Sequence, residues 1–389
     1  MEKWRSNLQE LSDRGMLRSL RLVEGSQGPR IRVDGQDVLL LCSNNYLGLA
    51  GHPAVIAAAR RGMERLGAGS GGSRLISGSM ESHRRLEERL AAFKGTSRAL
   101  LFNSGYAANI GVLQGLFGPD DTIFSDQLNH ASIIDGCRLS RARTLVYPHG
   151  NLSSLEELMR REQALRSKGR WLIVTDGVFS MDGDLAPLHG LVELKRRFDA
   201  LLMVDDAHGT GVLGSAGRGT AEFLGCAGDV DLHMGTLGKA LGGFGAFLAG
   251  PDPAIDTLIN HARSFIFSTS LPPAVPEAAL AALDIVESDE GAALRKSLKQ
   301  NRQHFVARLL EGGLAVPDNP APIVPIVIGD PEPTMAASAR LFQQGIFVQG
   351  IRPPTVPGGS SRLRATLMAN HAIEDLDRAA GLIVQELRG

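Results

Sequence analysis

The sequence is poor in the features that mark several large classes of protein. Cysteine occurs three times in 389 residues, at Cys42, Cys137 and Cys226, far apart and without CxxC spacing. That scarcity argues against a disulfide framework and against a zinc site, and leaves three buried thiols in a reducing compartment as the expectation. No long run of one charge sign is present, and 41 basic residues stand against 42 acidic ones for a formal net charge of −1. Such a balance favours neither a nucleic-acid nor a membrane surface, so a small-molecule partner is expected. No apolar run approaches the length needed to cross a bilayer, and the opening MEKWRSNLQELSDRG mixes charges without an apolar stretch. A soluble, cytoplasmic protein is expected. What is present is 43% hydrophobic residues, over a length that supports one large domain with a smaller one attached.

Leu8, Leu11, Leu17 and Leu20 recur near helical spacing and predict a helix over residues 1 to about 23. From about residue 50, helical stretches alternate with short apolar runs: SRALLFN (97–103), DTIFSD (121–126), RTLVYP (143–148), RWLIVTDGVF (170–179) and ALLMVDDAHG (200–209). Between them, residues 82–94 place Leu86, Leu90 and Phe93 on one face, and NLSSLEELMRREQALRSKG (151–169) opens with an Asn/Ser cap before a helical pattern. Continuous apolar strands alternating with helices imply an α/β fold with a mostly parallel sheet covered on both faces. Ligands of such sheets sit outside the carboxyl ends of the strands. After SLPPAVPEA (270–278) the chain reads as helix to about 312, then as short strands in APIVPIVIGD, GIFVQGIRPPTVPGG and SRLRATLMAN. The expected division is an N-terminal helical segment (1–43), a large domain (44–285) and a smaller C-terminal α+β domain (286–389).

Four places carry chemistry. HMGTLGKALGG (233–243) sets Lys239 among glycines, where it can approach a bound aldehyde closely, with Thr236 near enough to reach a phosphate. Alone, the segment reads equally well as a flexible loop with a solvated lysine. MVDDAHGTGVLG (203–214) is an apolar strand that delivers Asp205 and Asp206 to its carboxyl end, with His208 just beyond. A buried carboxylate is costly unless paired, so Asp205 points to a cationic partner such as a protonated pyridine nitrogen. Asp206 reads equally well as a turn cap. Metal binding by Asp205, Asp206 and His208 competes with that reading, but no further His or Asp cluster nearby closes a coordination shell. LLFNSGYAANIGVLQGL (100–116) runs from strand through Gly105 into a helix, whose free N–H groups and dipole suit a phosphate, with Tyr106 beside it. NSGYAAN is not the GxGxxG fingerprint, which disfavours a nicotinamide-dependent dehydrogenase. SDQLNHASIIDGCRLS (125–140) places His130 after a strand and ahead of a helix, where a histidine by itself is more often a cap or surface residue than a catalyst.

Lys239, Asp205, His208, Gly105, Tyr106 and His130 occur in the order used by pyridoxal 5′-phosphate (PLP) enzymes of fold type I. More narrowly, the chain resembles the α-oxoamine synthases, which condense an amino acid with an acyl thioester and release CO2. That resemblance spans nearly the whole chain, through SNNYLGL (43–49), GSGGSRLISG (69–78), TDGVFSMDGDLAPL (175–188), FIFSTSLPP (265–273) and IRPPTVPGGSSRLR (351–364). GSGGSRLISG with IRPPTVP looks most like the members that join L-alanine to a pimeloyl thioester in biotin biosynthesis. The aminolevulinate-forming members carry Tyr-Pro-Thr where this chain has Pro353, Pro354 and Thr355.

The resemblance implies the large-domain and small-domain architecture of fold type I and a homodimer with shared active sites. It makes Lys239 the Schiff-base lysine and Asp205 the partner of the pyridine nitrogen, both catalytic together with His130 and His208. His208 and Ser180 would contact the cofactor's oxygen-bearing side, and His130 would stack on the ring. Gly105, Tyr106 and Thr236 would hold the phosphate end, while Ser268 and Thr269 would reach the partner subunit's phosphate. For substrates, Arg364 matches the position that grips the amino acid's carboxylate, with Asn44 assisting, and Arg21 and Thr355 match positions associated with the acyl group. Whether the acyl carrier is coenzyme A or a carrier protein stays open. Two other readings share much of this pattern: an α-oxoamine synthase that uses glycine or serine, and a catalytically silent scaffold homologue. The joint presence of Lys239, Asp205 and His208 argues against the second.

Overall fold

The computed structural model describes residues 1–13, 15–163 and 169–388. They divide into two compact units, one of residues 44–297 with 319–321, and one that combines residues 1–43, 298–318 and 322–389. The N-terminal segment, expected to stand apart, therefore shares a unit with the C-terminal residues. Its strand Gln36–Leu40 pairs in parallel with Ile346–Phe347. The change-over near the C-terminus falls inside the continuous helix Asp289–Glu311 rather than at residue 286.

The larger unit is organised on a seven-stranded sheet. Across the sheet the strands run Arg98–Phe102, Ala246–Gly250, Leu232–Thr236, Leu201–Asp205, Trp171–Asp176, Thr122–Asp126 and Arg143–Tyr147. Ala246–Gly250 is antiparallel to both of its neighbours, and every other pairing in the sheet is parallel. All six residues of Trp171–Asp176 are buried, as befits a strand covered on both faces. Its side chains alternate between two cores: Leu172 and Val174 pack with the helix Gly105–Leu116, whereas Trp171 and Ile173 pack with the helices Leu152–Gln163 and Leu188–Phe198. The two strands that flank Lys239, Leu232–Thr236 and Ala246–Gly250, are additions to the expected set.

Two helix expectations are revised. The first helix spans only Glu2–Asp13 and buries none of its residues. Leu8, Leu11, Leu17 and Leu20 are all exposed, so no packing extends it, and Gly15 turns the chain at φ 62. The helix expected over 151–169 is Leu152–Gln163, and its remainder at 164–168 lies outside the described residues. The smaller unit holds a four-stranded sheet, built from residues 23–40 and Ile346–Phe347, and a three-stranded one of Ile323–Gly329, Ser361–Thr366 and Gln349–Ile351. Among the described residues, no helix is long and apolar enough to cross a membrane.

Candidate active site

Within the larger unit, a cavity of about 210 Å³ opens at the carboxyl ends of the parallel strands. Strand Leu201–Asp205 delivers Asp205 to it, only 5% exposed. One Asp205 oxygen accepts the Ala207 N–H at 3.0 Å, and the other accepts Nδ2 of Asn109 at 2.7 Å. Asn109 gives its other amide bond to Ser132, leaving its buried Oδ1 without a hydrogen bond. The carboxylate is therefore fixed in orientation by two neutral donors. Asp206 belongs to a different network, accepting from Lys94 Nζ at 3.0 Å and from the Thr220 hydroxyl at 2.6 Å.

Lys239 follows strand Leu232–Thr236 on a loop closed by its own backbone: the N–H of Gly243 donates to Leu237 O at 2.8 Å and that of Gly242 to Lys239 O at 2.9 Å. Gly242 is obligatory here. Its φ is +64, and a Cβ would lie 2.3 Å from the backbone nitrogen of Ala50. The loop is thus pressed onto the segment that follows Tyr46, and Lys239 Nζ comes within 2.7 Å of His208 Nε2. Thr236 lines the cavity, its hydroxyl donating to Gly245 O at 3.0 Å.

On the next side, Ser104 caps the helix Gly105–Leu116 by accepting the Ala107 N–H at 3.1 Å. The N–H groups of Gly105 and Tyr106, in the first turn, have no acceptor within the helix, and both residues line the cavity, an arrangement suited to an anion. His130 caps the helix Ala131–Ser140 and donates its backbone N–H to Asp176 Oδ2 at 2.9 Å. Burial lowers the His130 pKa, a pull that Asp205 opposes and Lys239 reinforces. Asp176 pairs in register with Asp205, one strand across. Burial, and then the negative charge of Asp205, push the Asp176 carboxyl well above the usual range. Ser180 completes the lining.

The structure therefore brings Gly105, Tyr106, His130, Ser180, Asp205, His208, Thr236 and Lys239 around one cavity. Ser268 and Thr269 do not line it. They lie on a loop tied to residues 72–73 by a Ser73–Thr269 bridge and by the Ser270 N–H on Gly72 O at 3.0 Å. Asn44 accepts the Tyr46 hydroxyl at 3.2 Å. In the smaller unit, Arg21 pairs with Asp34 at 3.2 Å and lies 4.0 Å over the Phe342 ring. Arg21 and Thr355 share a groove of about 500 Å³ with Arg18 and Arg352, and Arg364 is buried in strand Ser361–Thr366. Sequence reasoning passed over Asn109, Ser132, Asp176 and Tyr46. Asp176 carried a usable signal, because it ends an apolar strand in the way that Asp205 does.

The donor set suits PLP: an amine that can take its aldehyde, a buried carboxylate for a ring cation, and a helix N-terminus for its phosphate. Among the described residues, no group of three His, Cys, Asp or Glu side chains is arranged to hold a metal ion.

Comparison with known proteins agrees. Residues 36–383 match the model of the aminotransferase class I and II family. A serine palmitoyltransferase from S. paucimobilis, solved with a bound PLP–myriocin aldimine, superposes with a TM-score of 0.93 at 30% identity, over 99% of this chain and 97% of that one. The chain belongs to the class I and II aminotransferase family, with the fold-type I architecture, and its cofactor is PLP. Its curated relatives narrow the class. The 8-amino-7-oxononanoate synthases of Geobacter sulfurreducens and Geobacter metallireducens are 59% and 58% identical, each over 97% of this chain and 96% and 95% of their own lengths. A solved 8-amino-7-oxononanoate synthase from Francisella tularensis gives a TM-score of 0.76 at 30% identity, over 90% of this chain and 98% of that one.

Proposed function

We propose that the chain condenses L-alanine with a pimeloyl thioester, releasing CO2 and the free thiol and yielding 8-amino-7-oxononanoate, as a cytoplasmic homodimer. The observation that carries this reading is the placement of the Lys239 amine and the Asp205 carboxylate around one cavity whose far wall is a helix N-terminus. The names of the full-length relatives supply the substrates.

Bound PLP supplies an electron sink for a carbanion at the amino acid's Cα. Asp205, already oriented by Asn109 and Ala207, is the residue to hold a proton at the pyridine nitrogen. Lys239 would anchor the aldehyde carbon of PLP, and its Nζ is the base placed to take the Cα proton of alanine. His130 would lie against the ring, His208 and Ser180 would contact its oxygen-bearing side, and the N–H groups of Gly105 and Tyr106, with Thr236, would hold the phosphate. Asn44 would help to hold the carboxylate of alanine, and the family resemblance assigns Arg364 to that carboxylate and Arg21 and Thr355 to the acyl group. Overall, the alanine Cα forms a bond to the thioester carbonyl carbon as the C–S bond breaks. The Cα–carboxylate bond then breaks to give CO2, and Cα regains a proton. Support for a dimer comes from exposed Ile76, Phe267 and Tyr106 on the loops around Ser268 and Thr269 and beside the cavity. In that dimer Ser268 and Thr269 serve the partner subunit's phosphate.

The test is to supply the purified holoenzyme with pimeloyl-CoA and each of alanine, glycine and serine, while following thiol release. Alanine-dependent release that is lost, together with the visible cofactor band, in Lys239→Ala is expected. Release with glycine but not with alanine, or an active Lys239→Ala protein, would overturn the reading.

A further inference from the structure

Lys239 is the head of a hydrogen-bond chain that runs through His208 and Tyr46 to Asn44. Its Nζ lies 2.7 Å from His208 Nε2, and the opposite ring nitrogen, Nδ1, lies 2.6 Å from the hydroxyl of Tyr46. Tyr46 is fully buried, and His208 is 8% exposed. The Tyr46 hydroxyl lies 3.2 Å from Asn44 Oδ1, so it has one acceptor on each side and one proton to give. The chain can therefore be ordered in two directions. With a cationic lysine, Nζ donates to Nε2, Nδ1–H donates to the Tyr46 oxygen, and the hydroxyl donates to Asn44. With a neutral lysine, the Tyr46 hydroxyl donates to Nδ1, and Nε2–H donates to the Nζ lone pair. Each direction satisfies every nitrogen and hydroxyl along the chain, which is what burial demands of polar groups. A phenylalanine at position 46 would take the Tyr46 hydroxyl away from Nδ1 in both.

We propose that Tyr46 is a positioning residue that sets which nitrogen of His208 carries the proton, so that the ring reverses its hydrogen bonding as the Lys239 amine gains or loses its proton. The consequence is that, in the cofactor-free chain, His208 presents a matched partner to the Lys239 amine both when it is neutral, as it must be to take the aldehyde, and when it is cationic. Asp176, Asp205 and His130 line the same cavity and bias the amine from other sides, so their contribution stays constant when only position 46 is changed.

The inference draws its catalytic meaning from the assignment of Lys239 above, but its test needs neither substrate nor cofactor. In the chain freed of PLP and labelled at histidine with 15N, the two ring nitrogens of His208 should exchange protonated and unprotonated character over the pH range in which the lysine titrates. In Tyr46→Phe the cation loses the more of the two, because a chain that carries charge is the stronger one. The pH midpoint of the His208 shifts should therefore move down, corresponding to a loss of about three- to tenfold in the amine's protonation constant. The chain contains only three tyrosines. Incorporation of 3-fluorotyrosine, a poorer acceptor, should move the midpoint in the same direction by less, and should fail to do so in the Tyr46→Phe background. The fluorinated protein decides the matter if the phenylalanine variant does not fold. A Tyr46 that merely fills space would alter thermal stability and leave the His208 midpoint unmoved, and that outcome overturns the proposal. Loss of alanine-dependent turnover with the His208 behaviour intact would count against the functional reading instead.

Discussion

Replacing Lys94 with methionine should destabilise the protein by about 3–5 kcal/mol, although Lys94 does not line the cavity. The magnitude follows from what its ammonium holds. Nζ donates to Asp206 Oδ2 at 3.0 Å, to the Thr210 hydroxyl at 2.9 Å and to Arg218 O at 2.6 Å, with both charged side chains almost wholly buried. Methionine keeps the stem and removes the charge, which strands a buried carboxylate on the residue next to Asp205. Asp206 cannot move to find water, because a Cβ on Gly209 or Gly219 would already touch its oxygens, so the backbone encloses it. A cost of that size is a large share of a typical folding free energy of about 5–15 kcal/mol. The assay is denaturant unfolding of four proteins: wild type, Lys94→Met, Asp206→Asn and the double variant. Removing the anion as well should recover much of the loss, so the double variant should be more stable than Lys94→Met alone. PLP affinity should fall with Lys94→Met, because strand Leu201–Asp205 is held at its carboxyl end through Asp206. A loss below about 1 kcal/mol, or a double variant no more stable than the single, would refute the argument.

Two further substitutions test the scaffold of the site. Gly242→Ala should weaken PLP binding by at least about tenfold, since its Cβ would meet backbone atoms of Leu49 and Ala50 at a positive φ, whereas Gly238→Ala, with nothing nearer than 3.5 Å, should bind almost normally in a fluorescence titration. His149 sits between Asp126 and Asp184, at 2.9 and 2.8 Å, and its hydrogen bonds to Asp126 and then to Asp184 raise its pKa from 6.5 to about 10. A raised folded-state pKa gives stability that is complete below 6.5 and is lost as pH climbs towards 10. The thermal stability advantage of wild type over His149→Gln should therefore shrink between those pH values, and an advantage that grows with pH would contradict the assignment.

How far the sequence could be read depended on whether a feature was local. Asp205 was legible because an apolar run that ends in a carboxylate has few explanations in a covered parallel strand. The helix that begins at Gly105 was legible from the Ser104 cap and the strand before it. The strands on either side of Lys239 were not, because HMGT and the glycines after it look like loop until a partner strand is supplied. Only the antiparallel pairing of Ala246–Gly250 with both Leu232–Thr236 and Arg98–Phe102 reveals them. The union of residues 1–43 with the C-terminal unit rests on Ile346 beside Leu39 and Phe347 beside Leu40, a pairing across some 300 positions that no local pattern announces. Tyr46 lay inside the quoted SNNYLGL run, yet its importance depends on its distance to a histidine 162 positions away.

The two carboxylates on neighbouring strands divide their labour through environment rather than residue type. Asp176 and Asp205 stand opposite each other in register at the same end of the sheet, and both line the cavity. Like charges placed so close, and buried, cannot both be carried at low cost. The burden falls on Asp176, whose carboxyl is pushed up by burial and by its neighbour, while the His130 N–H on Oδ2 opposes that push. The upward push on Asp176 favours a single negative charge at this end of the sheet, beside Asp205, whose oxygens already hold the amides of Asn109 and Ala207. One anion is the number that a single ring cation requires. Two would attract a second cation, or would oppose the neutral form of the Lys239 amine on which proton transfer depends. Asp176 contributes to the site through the backbone bond it accepts from His130, which fixes the loop that presents the imidazole to the cavity.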